Sequence, residues 1–435
     1  MVVDMSQNPA VISSTTNNTL ADDRKQDTIW MLSLYGTAIG AGTLFLPIDA
    51  GLTGIWPLII IALLAFPMTY FSHLALCRFV LSSASQKGDI TDVVIEHFGP
   101  MAGKLLTFLY FFAIYPILLM YSVAITNTTQ SFITNQLGLE APHRGLLSLS
   151  LLLVLMTIVR LGQQFIIKSM SILVYPFVAI LTVLSIYLIP HWNGAIFHPI
   201  HDSHSLAGSH DMLMTLWLVI PVMVFSFNHS PIISSFAVSQ KQRFGRLADK
   251  KCKETLKYSH IMMVVTVLFF VFSCVFSLSP EDLALAKHQN ISILSYLANH
   301  FHTPIIAYIA PLVAFIAIAK SFLGHYLGAS EGLHGLLNKN NRFQGVLSHH
   351  KLQLLTDAFI LITCWITATL NPNILKMIET LGGPVIAMIL FLMPMYAIHK
   401  IPAMKKFSTH YSNAFVSFIG IVAISAILYG ILGGH

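Results

Sequence analysis

The sequence predicts an all-α polytopic membrane protein with eleven transmembrane helices, on three observations. Only 10% of the 435 residues are charged and 55% are hydrophobic, whereas soluble domains carry roughly 25% charged residues. The mean hydropathy is +0.73. The apolar residues also fall into long continuous stretches near the ~20 residues that cross a bilayer. So few charges cannot cover a solvated surface, which excludes soluble globular and disordered chains. Continuous rather than alternating apolar runs make the spans helices, each satisfying its own backbone groups, and exclude a β-barrel.

In chain order, residues 1–27 form a polar tail rich in Ser, Thr and Asn. It lacks the apolar core and small-residue cleavage site of a secretory signal, so the first apolar segment is a retained span. Spans follow at 28–50, 55–81, 103–131, 145–160, 168–190, 212–237, 259–279, 304–329, 353–371, 378–398 and 412–432. The first ten form a core (28–398) in two halves, 28–190 and 212–398. Residues 399–435 add an inner loop and the eleventh span.

The basic residues orient these spans. With the N-terminus in the cytoplasm, 20 of the 24 Lys and Arg lie inside, seven of them in a loop from Lys241 to Lys257. Arg144, Lys287 and Lys376 lie outside, and Lys320 alone is left within a span. A correct set of spans shows this positive-inside asymmetry, and an odd number of crossings puts the C-terminus outside. The net charge of +6 is thus a topology signal, and no nucleic-acid partner is expected.

Two loops carry helix-start signals. Asp89-Ile90-Thr91-Asp92 ahead of Val93-Val94-Ile95 predicts a short amphipathic helix on the inner face. Ser279-Pro280-Glu281-Asp282 predicts an outer helix with a Ser cap, Pro in the first turn and acids beside it. The 191–211 loop holds His191, His198, His201, His204 and His210, with no visible ligand geometry, and is expected to be an ordinary surface loop. Four distant cysteines without a CxxC suggest no disulfide framework, and no metal site is assigned.

Two spans are poor continuous helices. Span one contains Gly36-Thr37-Ala38-Ile39-Gly40-Ala41-Gly42-Thr43 and then Pro47, and each mid-helix Gly costs roughly 1 kcal/mol relative to Ala. Close packing through Gly36 and Gly40 explains this span equally well. Span six shifts the balance, because Phe225-Ser226-Phe227-Asn228-His229-Ser230-Pro231 puts Asn, His and two Ser at mid-membrane. Such groups are costly there unless they pair or line a cavity, and Pro231 removes a backbone donor. Spans one and six are five apart and cross in opposite directions. The expected layout is a 5+5 inverted repeat plus one extra helix, with spans 1 and 6 discontinuous. Half-helices present N–H groups at one end and carbonyls at the other, and a zwitterionic α-amino acid satisfies both.

Lys320 is expected to be functional, as intramembrane charges generally are; the alternative is snorkelling to the inner interface. Carboxylates are scarce, with Asp49 and Glu379 near outer span ends and Asp357 near an inner one. A sodium site built from acids is therefore not expected, although carbonyl and hydroxyl sites stay open. The Lys320 ammonium can occupy the place of a sodium ion and load and release a proton. His229 and His325 are the alternative proton carriers.

The stretches LYGTAIGAGTLFLPI (34–48), YFFAIYPILLMYSVAITNT (110–128), TLWLVIPVMVFSFNHSPIISSFAVS (215–239), KSFLGHYLGASEG (320–332) and ETLGGPVIAMILFLMPMYAI (379–398) resemble the hydroxy/aromatic amino acid permease family. That family lies within the amino acid–polyamine–organocation superfamily, and the likeness extends from about residue 25 to the C-terminus. Serine- and threonine-type members resemble the chain more than tryptophan- or tyrosine-type ones. The resemblance implies a LeuT-type fold and proton-coupled import of L-serine across the bacterial inner membrane by alternating access, with a periplasmic C-terminus. It also implies that Gly40, Ala41 and Gly42 offer amides to the substrate carboxylate, and that backbone around Ala38, Phe225 and Ser226 receives its ammonium. Thr37, Asn228, His229 or Ser230 would meet the serine hydroxyl, and Tyr115 and Tyr121 would act as lids. No cofactor is expected beyond H+ as coupling ion, with Na+ the lesser candidate. The expected partners are the amino acid and the lipid bilayer; the oligomeric state is open, a monomer included.

Three other functions fit the sequence less well. A threonine/serine or aromatic permease is the near one. A metal-dependent intramembrane enzyme is the distant one, against which there is no HExxH motif and no acid beside a mid-span His. A channel has little need of two inverted broken helices.

Overall fold

A computed structural model describes residues 9–197, 209–301, 303–338, 348–378 and 383–431. Among these the chain is helical and contains no strand. His198, His201, His204 and Glu379 lie outside the described residues.

The first apolar segment is two helices, α1 (Pro9–Ala38) and α2 (Ala41–Leu52), bent by 51° at Ile39-Gly40. The first half of the chain continues with α3 (Ile55–Leu81), α4 (Ile90–Ser131), α5 (Arg144–Arg160) and α6 (Gln163–Leu188). The second half opens on another interrupted segment, α7 (Ser209–Ser226) and α8 (Ser230–Phe244), followed by α9 (Ala248–Ser277). Two short helices, α10 (Pro280–His288) and α11 (Ile293–His300), precede α12 (Pro304–Asn338) and α13 (His349–Leu370). The next segment is fragmented into α14 (Ile374–Met377), α15 (Gly383–Ala387) and α16 (Met393–Lys400), with a π-helical turn at Met388–Leu392, and α17 (Ser412–Ile431) closes the chain.

Six helical runs among the described residues are long and apolar enough to cross a membrane, and the bent pair α1–α2 makes a seventh. Three further apolar helices, Leu216–Ser226, Val385–Lys400 and Ser412–Ala426, are shorter. Large apolar side chains such as Leu63, Leu146, Val183 and Leu370 stand exposed on the outside, where lipid rather than water suits them.

Both loop helices form as expected. Asp89 caps α4 in a capping box with Asp92, and Gly99 (φ 81°, ψ 171°) then kinks the helix before it enters the membrane run. Ser279 and Asp282 make the same box at α10. The basic segment from Lys241 to Lys257, expected as a loop, is mostly helix, because α8 runs on to Phe244 and α9 begins at Ala248. Lys, Leu and Ala are good helix formers, and Lys241 and Arg243 sit in the last turn of α8, where cations suit the carbonyl end. Gly245 (φ 50°) makes the turn.

The interior is organised around the breaks. The α12 helix lies along α4, and α1 packs between α6, α9 and α12. The α2 helix rests on α7 and α10, and α3 on α7, α8 and α9. Both interrupted segments are therefore enclosed by long continuous helices.

Candidate functional site

The two interruptions face each other. At the first, α1 ends at Ala38 and α2 starts after Gly40, whose extended backbone (φ −142°, ψ −146°) takes no side-chain cap. The amides of Ala41 and Gly42 thus open a helix whose first turn contains no acid. At the second, α7 ends at Ser226 and α8 starts at Ser230, and Asn228 Oδ1 accepts the Ser230 N–H at 3.1 Å. Asn228, His229 and Ser230 are all buried.

Thr43 joins the breaks. Its hydroxyl is 2.8 Å from the Ser226 carbonyl and 3.4 Å from the Ala38 carbonyl, two of the backbone acceptors expected to meet an ammonium. Ser226 returns the contact, its hydroxyl lying 2.7 Å from the Val222 carbonyl and 3.1 Å from that of Gly42. The close approach explains the glycines. A Cβ on Gly42 would lie 2.7 Å from the Phe225 ring, and one on Gly40 would overlap Ser321 and lie 2.9 Å from the Tyr121 hydroxyl.

Lys320 enters from α12 and does not snorkel. It is fully buried; its Nζ donates to the Ile39 carbonyl at 2.9 Å and approaches the Gly36 carbonyl at 3.4 Å. It also stands 4.2 Å from the centre of the Phe177 ring. These are the last carbonyls of α1, where a cation is favoured by the helix dipole. The ammonium forms no ion pair with a carboxylate among the described residues. Next to it, Ser321 donates to the Thr37 carbonyl at 2.6 Å and shares a 2.8 Å hydrogen bond with Tyr121. His325 follows one turn later, its Nδ1 2.9 Å from the Ser321 carbonyl and its ring edge-on to Tyr121 at 5.0 Å.

Most of the residues named from the sequence are thereby brought together: Thr37, Ala38, Gly40, Ala41, Gly42, Tyr121, Phe225, Ser226, Asn228, Lys320 and His325. The Thr37 hydroxyl bonds back to Ser33 at 3.0 Å. Tyr115 turns elsewhere, stacking on Phe111 at 4.9 Å and Phe359 at 5.3 Å. His229 faces inward to other histidines, with its backbone N–H donating to His73 Nε2 at 3.2 Å. Thr43 and Ser321 escaped notice in the sequence. Thr43 completes the glycine stretch and Ser321 adjoins Lys320, but their partners lie 183 and 284 residues away.

Two clefts open among the described residues, neither lined by a residue of the two breaks. One of about 520 Å³ is lined by Asn127, Arg144, Tyr296 and Asn371, and one of about 810 Å³ by Asp89, Arg160, Tyr326 and Asp357. Residues 37–48 are buried. The two facing breaks bring together helix-start amides and helix-end carbonyls, the groups that a small zwitterion requires.

The profile of the tryptophan/tyrosine permease family matches residues 28–431. The serine transporter SdaC of Escherichia coli (strain K12) is 63% identical over 409 residues, covering 94% of this chain and 95% of that protein. The threonine/serine transporter TdcC of Yersinia enterocolitica is 47% identical, covering 94% and 96%. Among solved structures, MhsT in complex with L-phenylalanine shares the fold at a TM-score of 0.59 and 15% identity, covering 93% of this chain and 97% of its own. The chain belongs to the tryptophan/tyrosine permease family, and so to transport proteins rather than enzymes.

Proposed function

We propose that the protein is a proton-coupled symporter that imports L-serine across the bacterial inner membrane by alternating access. The proposed layout is eleven spans, a 5+5 inverted repeat plus one, with the N-terminus cytoplasmic and the C-terminus periplasmic. Serine as substrate is supported by the 63% identity to a serine transporter. The α2 amides at Ala41 and Gly42 receive the carboxylate, and the carbonyl ends of α1 and α7 receive the ammonium. Asn228 and Ser230 are the candidate partners of the hydroxyl.

Proton coupling rests on one observation, the Lys320 ammonium 2.9 Å from the Ile39 carbonyl at the break. Charged, it holds the end of α1 as a bound cation would. Neutral, it has lost the attraction to those carbonyls, and the break is free to move. Moving one charge across 100 mV is worth ~2.3 kcal/mol, which is about 50-fold accumulation.

The test is uptake in proteoliposomes under an imposed proton or sodium gradient. Serine is expected to accumulate with the proton gradient, to alkalinise the outer medium and to be indifferent to sodium. Lys320→Ala should insert normally but lose the accumulation, and full accumulation in that variant would refute the role of Lys320. Threonine is the second candidate substrate, given the relative at 47% identity. One methyl group discriminates by only ~1–3 kcal/mol, so counterflow competition must rank the two; failure of serine to compete would sink the assignment.

A further inference from the structure

Three histidines from three separate segments meet beside the second break: His73 of α3, His229 between α7 and α8, and His260 of α9. All three are buried. The His73 and His229 rings stack with centroids 3.7 Å apart and planes within 3°, and the His260 centroid is 4.7 Å from His229 and 5.5 Å from His73. One nitrogen from each ring lies within 4.8 Å of the others.

The partners fix the hydrogens. Each Nδ1 meets a backbone carbonyl: His73 that of Thr69 at 2.7 Å, His229 that of Phe227 at 3.0 Å, and His260 that of Leu256 at 2.6 Å. A carbonyl only accepts, so each Nδ1 carries a hydrogen and each neutral ring presents a lone pair at Nε2. The His73 lone pair takes the His229 backbone N–H. Those of His229 and His260 are buried with no partner, an arrangement that costs free energy. One added proton removes the mismatch by making one ring a donor.

We propose that His73, His229 and His260 form a proton-binding site that is separate from Lys320 and acts on the second break. The proposal deepens the symport reading and rests on it. His229 is the non-helical residue (φ −134°, ψ 23°) that starts α8, next to Asn228, so a proton that repositions its ring also moves the backbone at the substrate. The other titratable groups facing the cluster are Tyr70, edge-on to His260 at 5.7 Å, and His325 from α12. Lys320, on that same helix, is engaged with α1. A divalent metal fits less well. Lone pairs lie in the ring planes, and stacked parallel rings aim them side by side rather than at one centre. No carboxylate or thiolate joins the three rings among the described residues to offset a double charge.

In proteoliposomes, His260→Gln and His73→Gln are expected to keep serine counterflow at uniform pH. Proton-driven accumulation should fall towards the loss of the about 50-fold that one coupled charge supplies at 100 mV, and its pH profile should flatten. Full accumulation with an unchanged profile in both variants overturns the proposal. Solid-state ¹⁵N NMR of the histidine-labelled, unmutated protein asks the same question without a substitution. One ring of the cluster should gain a proton as the pH falls below the ordinary histidine value of about 6.5, and three neutral rings throughout overturn the proposal, as does a stoichiometric metal ion in the purified protein. If the unmutated protein shows no serine-driven proton flux, the symport reading itself fails. If it does and the variants match it, only the histidine site fails.

Discussion

Gly40 and Gly42 are where single atoms decide the site. A Cβ at Gly40 would overlap Ser321, which bonds the Thr37 carbonyl and Tyr121. Gly40→Ala should therefore abolish serine uptake, and overpacking of this kind costs about 1–3 kcal/mol. Adding Ser321→Gly removes the obstructing atoms, so the double variant should recover part of the uptake; a double variant as inactive as the single one would count against the steric account. Thr43→Val keeps the shape and removes the hydroxyl that reaches Ser226 and Ala38. About 1 kcal/mol of the link between the breaks should be lost, read as slower uptake with normal membrane insertion. The sequence left two explanations of the glycines open, and both operate. A Cβ at Gly36 would crowd Val174 at 3.2 Å, which is packing, while Gly40 marks the bend itself. The roles of Thr43, His73 and His260 were illegible, because a lone polar residue on an apolar span acquires meaning only from partners on other helices.

The capped elements were readable because their signals are local. Ser279 and Asp282 lie three residues apart and close the α10 capping box, and Ser279→Ala should weaken that turn by about 1 kcal/mol. Burial alone raises the Asp282 carboxyl, but hydrogen bonds from Tyr296 and Ser279 outweigh it and hold the group below its usual range. A carboxylate shifted downward stabilises the fold above the unfolded-chain value of ~3.9, and that contribution is lost as pH falls through the lower folded value. Amide exchange in α10, corrected for intrinsic rates, should thus be slow at neutral pH and speed up below about pH 4; an exchange rate independent of pH there would remove Asp282 from the cap. The breaks were readable for the opposite reason, as violations of the local pattern. What composition could not give was where the inner basic residues stop being loop. Arg243 bonds Asp23 at 2.7 Å, and Lys251 bonds Asp27 at 3.1 Å, so the basic segment is helix tied to α1.

At the scale of the whole molecule, hydropathy and geometry count different things. Apolar composition runs through a break, so the sequence yields eleven segments, whereas backbone geometry divides spans one, six and ten into pieces and leaves spans four and eleven short, so that six or seven runs of full length remain among the described residues. The two counts agree if Leu216–Ser226, Val385–Lys400 and Ser412–Ala426, together with the 17-residue α5 (Arg144–Arg160), are parts of interrupted or short spans. The charge distribution supports that, because Lys400, Lys405 and Lys406 precede the last apolar helix and Lys241 to Lys257 follow the second break. Removing one crossing ahead of these basic groups would invert every loop after it and place them outside, against the positive-inside asymmetry. Eleven crossings put the two termini on opposite sides, and ten or twelve put them together. Alkaline phosphatase fused after His435 should therefore be active, since that enzyme folds in the periplasm, and green fluorescent protein at the same position should stay dark. Fused after Lys406, ahead of the final helix, the two reporters should exchange behaviour. A fluorescent fusion at the C-terminus would mean an even number of crossings, and the inverted repeat would then have to be built from a different pair of halves.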